Sequence, residues 1–256
     1  IEDNSSLRRG FPTLHKIFGV GAAINAGDAL HAIMWNCLSE NINSLDTKKT
    51  SNILKEFHLI LARTALGQGV EINWASSENF DFSDNDWFFI ADGKTSYYTI
   101  AGPMRLGAII AGASNHQLEN LATFGQVLGR CFQLVDDLLD ITSKDYKGRG
   151  QMIGSDIKES KRTLILSHLL RTAEATDKKK VISILKKIPE EKSQEEVDWI
   201  INKMNEYESI KYAQSTAKKY RDKASVIFEK KLGFLSHEPA RSELKEIIDF
   251  ILERKY

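Results

Sequence analysis

Three aspartates, Asp136, Asp137 and Asp140, stand in an otherwise almost wholly apolar run from Cys131 to Ile141. At 3.6 residues per turn, Gln133, Asp136 and Asp140 share one helix face, with Asp137 beside them. Phe132, Leu134, Val135, Leu138, Leu139 and Ile141 cover the rest, and a helix apolar nearly all round is a buried one. Carboxylates clustered on a buried helix repel one another and favour protonation or water. Something positive must face them, and a hard divalent cation, which prefers oxygen ligands, answers that need. A bare Asp-Asp-x-x-Asp is more often a solvated polar face. Here the flanks are Leu, Val, Phe and Ile rather than Lys, Glu, Ser and Gln, which favours the metal site.

Cationic groups lie elsewhere in the chain. Arg8 and Arg9 precede the loop marked by Gly10 and Pro12, and guanidinium forks match phosphate oxygens. Taken alone they read as a surface pair. Lys94 sits among apolar neighbours with Thr95 next to it. Alone it could be a snorkelling lysine, but the adjacent hydroxyl suits a phosphate oxygen. Residues 142–156 form a loop with Lys144, Lys147, Arg149 and three glycines. That composition suits a mobile lid over an anionic ligand and equally a plain flexible loop.

Helices must position these groups. Only four prolines and long periodic segments predict an all-helical chain. Apolar and small residues recur at helical spacing over 21–38 and 47–75, the second with Ile53, Phe57, Ile60 and Leu61 on one face and Gln68 and Glu71 near its end. A third pattern covers 84–115, where Pro103 predicts a kink or a break between two helices. The aspartate-bearing helix covers 118–141. Asp156 to Thr163 is expected to open a helix running to about Arg171. The remainder from Asp177 reads as amphipathic helices with Val181, Ile184, Leu185, Ile200, Ile201, Ile227, Leu244, Ile247, Ile248 and Ile251 turned inward.

Composition bounds the possibilities. The chain has 256 residues, which suits one large domain or two small ones and is enough for a substantial core. Lys+Arg and Asp+Glu both total 35, so the balance offers nothing to nucleic acid or a membrane surface. No apolar run is long enough for a transmembrane helix. Cys37 and Cys131, the only two cysteines, read as small buried hydrophobes in a reducing, cytoplasmic compartment. An acidic helix face, separated cations and long apolar helices suit a substrate with a polyanionic head and a greasy tail.

The motifs in order resemble those of the trans-isoprenyl diphosphate synthases, or polyprenyl synthetases, over nearly the whole chain. Phe132 to Asp140 looks like the family's second aspartate-rich motif. Gly154-Ser155-Asp156-Ile157 with Lys161 and Thr163 is similar to the segment that follows it. Lys94-Thr95 resembles the mid-chain Lys-Thr pair, and Gly67-Gln68-Gly69-Val70-Glu71 the Gly-Gln-x-x-Asp element. Glu2-Asp3-Asn4-Ser5 with Arg8-Arg9-Gly10 and Pro12 looks like the tail of the first aspartate-rich motif.

The resemblance implies a single domain over 1–256, folded as an all-α bundle of long antiparallel helices around a deep cavity, and a homodimer. It implies that Asp3, Asp136 and, through water, Asp140 and Asp156, with Asp137 in the same cluster, hold three magnesium ions. Lys94, Lys161 and Arg8 would contact an allylic diphosphate, Arg9 isopentenyl diphosphate, and Gln68 the bound substrate. Thr95 and Gln133 would place oxygens near a developing carbocation. The implied activity is short-chain prenyl transfer giving geranylgeranyl or farnesyl diphosphate. A non-catalytic subunit that modulates an active partner is the alternative, and a terpene cyclase a weaker third reading. Three departures stand out. The first motif's leading aspartates, and the upstream basic residues and N-terminal helices, would lie before Ile1, so that the chain as numbered would be inactive without them. Gln151 stands where the family usually has Lys. Glu71 stands where it usually has Asp.

Overall fold

A computed structural model describes residues 1, 5–8, 10–143 and 153–254. The chain opens with a two-stranded antiparallel ribbon, β1 (Leu7–Arg8) and β2 (Phe11–Pro12), turned by Gly10 at φ 81°. Helices follow: α1 (Leu14–Phe18), α2 (Val20–Ser39), α3 (Thr47–Ser76), α4 (Asp84–Ile90), α5 (Gly102–Ile110) and α6 (Asn115–Thr142). The second half adds α7 (Ser155–Lys158), α8 (Leu164–Thr172), α9 (Ala175–Leu185), α10 (Gln194–Glu206), α11 (Ser209–Lys231) and α12 (Ala240–Glu253). Among the described residues, no helix is long and apolar enough to cross a membrane.

The all-α expectation holds, and α6 is the axis of the bundle. It starts at a reciprocal cap in which the Ser114 hydroxyl accepts from the Gln117 amide and the Gln117 side chain accepts from the Ser114 amide. Leu121, Phe124, Leu128, Cys131 and Leu134 are then sealed at or below 1% exposure. Phe124 packs on Phe228 of α11, with ring centroids 5.7 Å apart. Truncating such a ring to alanine costs on the order of 3–5 kcal/mol.

Pro103 neither breaks nor ends its helix. Between α4 and α5 the chain runs without interruption through a π-helix, Ala91–Ala101. The Gly102 amide reaches back five residues to the Tyr97 carbonyl, so the ladder widens just upstream of the proline. Lys94 and Thr95 lie in this widened segment. It is clamped between two neighbours by missing side chains. A Cβ on Gly129 of α6 would stand 2.3 Å from Ser96 Cα, and one on Gly67 of α3 would stand 2.6 Å from the Lys94 amide nitrogen. The glycines let three backbones approach closely, and that approach sets Thr95 against α6.

Three further expectations change. The helix foreseen from Asp156 to Arg171 is two: α7 ends in a turn with Ser160 at φ 57°, and Thr163 restarts the ladder by accepting from the Leu166 amide at 3.2 Å. Cys131 is buried, but Cys37 is exposed, because α2 buries none of its residues among those described. Ile247 is likewise turned outward, whereas Ile248 and Ile251 are buried.

Candidate active site

A cavity of about 670 Å³ opens between α3, the π-helix, α6 and the turn after α7. Of the residues singled out in the sequence, Arg8, Lys94, Thr95, Gln133, Asp136, Asp137, Asp140, Asp156 and Lys161 line it. Gln68, half-buried on α3, is not among the lining residues. Asp3, Arg9, Gln151 and the loop cations Lys144, Lys147 and Arg149 lie outside the described residues.

The adjacent aspartates of α6 have different surroundings. Asp137 is buried, and both its oxygens are taken: Oδ2 accepts from Trp87 Nε1 at 3.0 Å and Oδ1 from Gln133 Nε2 at 2.7 Å. Thr95 Oγ1 donates to Gln133 Oε1 at 2.5 Å, completing a chain from the π-helix through α6 to α4. Burial, and next the charge of Asp156, raise the Asp137 carboxyl well above the ordinary range. Asp136 is half-buried on the cavity wall, and its Oδ1 accepts from Arg254 Nη2 at 2.6 Å. That guanidinium also donates to the Phe132 carbonyl at 3.0 Å and lies 4.0 Å above the Phe132 ring.

Asp140 ties α6 to the next segment. It accepts from Ser155 Oγ at 2.5 Å and from the Asp156 amide at 3.0 Å. Burial, then the nearby Asp156, push it up to about 6 against those hydrogen bonds and Lys161. Asp156 is paired with Lys161 Nζ at 3.1 Å, and Lys161 also meets Glu159 at 2.6 Å. Across the cavity Lys94 is ion-paired with Glu71.

Among the described residues no three His, Cys, Asp or Glu side chains converge closely enough to hold a metal ion by themselves. The donor chemistry nevertheless fits magnesium. Asp136, Asp140 and Asp156 present hard oxygens to one cavity, and burial together with the nearby Asp156 charge raises the Asp137 and Asp140 carboxyls, a setting in which a divalent cation would favour the charged forms.

Sequence reasoning missed several groups at the site. Trp87 had a legible signal, since a buried indole N–H seeks an acceptor. Arg254 had none: its partner is 118 residues away and no local pattern links them. Arg162, Gln194 and Asp198 also line the cavity.

Fold and site together define a helical-bundle enzyme whose cavity pairs an acidic helix face with separated cations. The polyprenyl synthetase family profile matches residues 1–204. The geranylgeranyl diphosphate synthase of Saccharolobus solfataricus is 32% identical over 257 residues, covering 100% of this chain and 74% of that protein. The crystal structure of geranylgeranyl pyrophosphate synthetase from Pyrococcus horikoshii superposes with a TM-score of 0.82 at 29% identity, covering 98% of this chain and 73% of that one. The Corynebacterium glutamicum geranylgeranyl pyrophosphate synthase, complexed with isoprenyl diphosphate and magnesium, gives 0.84 at 25% identity, covering 98% and 73%. The chain belongs to the polyprenyl synthetase family and is a prenyltransferase.

Proposed function

We propose that the cavity joins isopentenyl diphosphate to an allylic diphosphate, with magnesium bound at the acidic face. Geranylgeranyl or farnesyl diphosphate is the product of this reading. The observation that carries it is the meeting of Lys94, Thr95, Gln133, Asp136, Asp140, Asp156 and Lys161 around one cavity, from elements far apart in sequence.

Asp136, Asp140 and Asp156 would hold magnesium, with Asp3 completing the set. Bound magnesium supplies Lewis-acid neutralisation of the departing diphosphate. Lys94 and Lys161 place ammonium groups against the same leaving group, each already oriented by a carboxylate, Glu71 or Asp156. The allylic carbon–oxygen bond breaks, leaving a cation on carbon and the electron pair on diphosphate. Thr95 Oγ1 and Gln133 Oε1 set oxygen lone pairs beside that cation, and Asp137 fixes Gln133 through its amide. The double bond of isopentenyl diphosphate attacks, forming a carbon–carbon bond. A proton then leaves the new chain for the departed diphosphate. Trp87, Ile90 and Ala91 add apolar wall that excludes water from the cation.

The reading extends to one domain over 1–256 and a cytoplasmic homodimer with three magnesium ions per site, and light scattering of the full-length protein tests the dimer. The activity is tested with labelled isopentenyl diphosphate and geranyl or farnesyl diphosphate, with and without magnesium, resolving product length. Magnesium-dependent elongation to one length is expected. Absence of transfer by folded protein at any magnesium concentration contradicts the reading and favours a non-catalytic subunit.

A further inference from the structure

The turn that carries Asp156 and Lys161 is held by two buried cations that the chemistry above does not use. Lys192, at 3% exposure, donates from Nζ to Ser160 Oγ at 2.6 Å and to the Lys158 carbonyl at 2.5 Å. Arg162, at 5%, donates to the Ser160 carbonyl at 2.6 Å and to the Ser77 carbonyl at 2.9 Å, with its guanidinium 4.1 Å above the Phe80 ring. Ser160 itself is buried in the left-handed region at φ 57° and donates to the Leu185 carbonyl at 2.7 Å. A non-glycine residue there persists only where its surroundings over-determine it.

Neither cation hydrogen-bonds a carboxylate among the described residues; every acceptor is an uncharged oxygen. Burying an ammonium on such partners is unfavourable for folding. Burial and then the Arg162 charge push Lys192 down to about 8, against the attraction of Glu159, Glu190 and Glu196. An apolar side chain of similar length would fill the space without that penalty. The cation's bonds instead converge on the two residues between Asp156 and Lys161 whose placement decides where those groups point. On the other side the turn is tied to α6 by Asp140. Gly154 at its start has no room for a side chain, since a Cβ would stand 2.4 Å from Val197 Cγ1. The turn is therefore pinned at both ends.

We propose that Lys192, acting through Ser160 and the Lys158 carbonyl, is a positioning residue that holds Asp156 and Lys161 in register for the diphosphate. The inference rests on the cavity being the diphosphate site. Its anchoring half stands without any ligand.

The test uses the full-length protein and Lys192→Met, a variant of similar length without charge. Hydrogen exchange of the backbone amides over 155–161 reads the anchoring, and calorimetry with magnesium and inorganic diphosphate reads its consequence. Lys192→Met is expected to speed exchange at those amides alone, to weaken diphosphate binding on the order of 10-fold, and to raise KM more than it lowers kcat, with the unfolding midpoint unchanged or higher. Wild-type exchange and affinity in the variant overturn the proposal, as does faster exchange spread over the whole bundle with a lowered midpoint. Should Lys192→Met fail to fold, Ser160→Gly serves instead. Glycine accepts φ 57° without strain while losing the hydroxyl, and the same local loosening is expected. If wild-type protein binds no diphosphate, the reading of the cavity falls and the binding half with it. Exchange over 155–161 then decides the anchoring.

Discussion

The α6 side of the cavity and its π-helical side both carry charge, but they hold it differently. Asp137 and Asp140 are 5% and 8% exposed and fixed by hydrogen bonds from Trp87, Gln133, Ser155 and the Asp156 amide. Lys94 and Glu71 keep 29% and 17% of their side-chain surface and rest on one ion pair. The acidic side is thus part of the architecture, so a change there moves both shape and charge. The cationic side is an attachment to a backbone fixed by Gly67 and Gly129, so a change there removes charge and leaves shape.

That contrast is broken most severely at Asp140. Asp140→Ala removes an acceptor that ties α6 to the Asp156 turn, and prenyl transfer is expected to fall about 1000-fold. Magnesium affinity, read by calorimetry, should fall with it, and amide exchange at Asp156 should rise. If transfer falls while exchange is unaltered, the acidic side is not the structural unit described here.

Lys94→Ala is expected to lower kcat/KM about 100-fold, with magnesium affinity and the unfolding midpoint near wild type. Loss of stability comparable to that of a core truncation would erase the distinction between the two sides. The smallest effect is expected at Arg254→Gln. Arg254 places a cation on Asp136 Oδ1, so its removal should raise magnesium affinity about fivefold, the ~1 kcal/mol of a partly exposed ion pair. Unchanged affinity would mean that Asp136 is not a metal ligand.

The same contrast explains how far the sequence could be read. Long helices, the buried aspartate face and Lys94-Thr95 follow from periodicity and residue type, which are local properties. The π-helix was not legible because Pro103 fixes only a missing donor, whereas the widened ladder depends on the close approach of Gly67 and Gly129. The different surroundings of Asp136 and Asp137 also escaped, since adjacent residues share a local pattern and, beyond the local Gln133 contact, it is Trp87 and Arg254, distant in sequence, that separate them. Exposed Cys37 shows the limit of apolar spacing: α2 has the pattern of a buried helix and buries none of its described residues. The Lys192–Ser160 contact crosses 32 residues and has no sequence signature at all.

The most direct measurement is anomalous diffraction from crystals of the full-length protein grown with manganese and inorganic diphosphate. Manganese peaks bridging diphosphate oxygens to the face formed by Asp136, Asp140 and Asp156, with Lys94 and Lys161 on the same diphosphate, are the predicted result. Diphosphate bound elsewhere, or bound at Lys94 with no metal on the acidic face, would contradict the account.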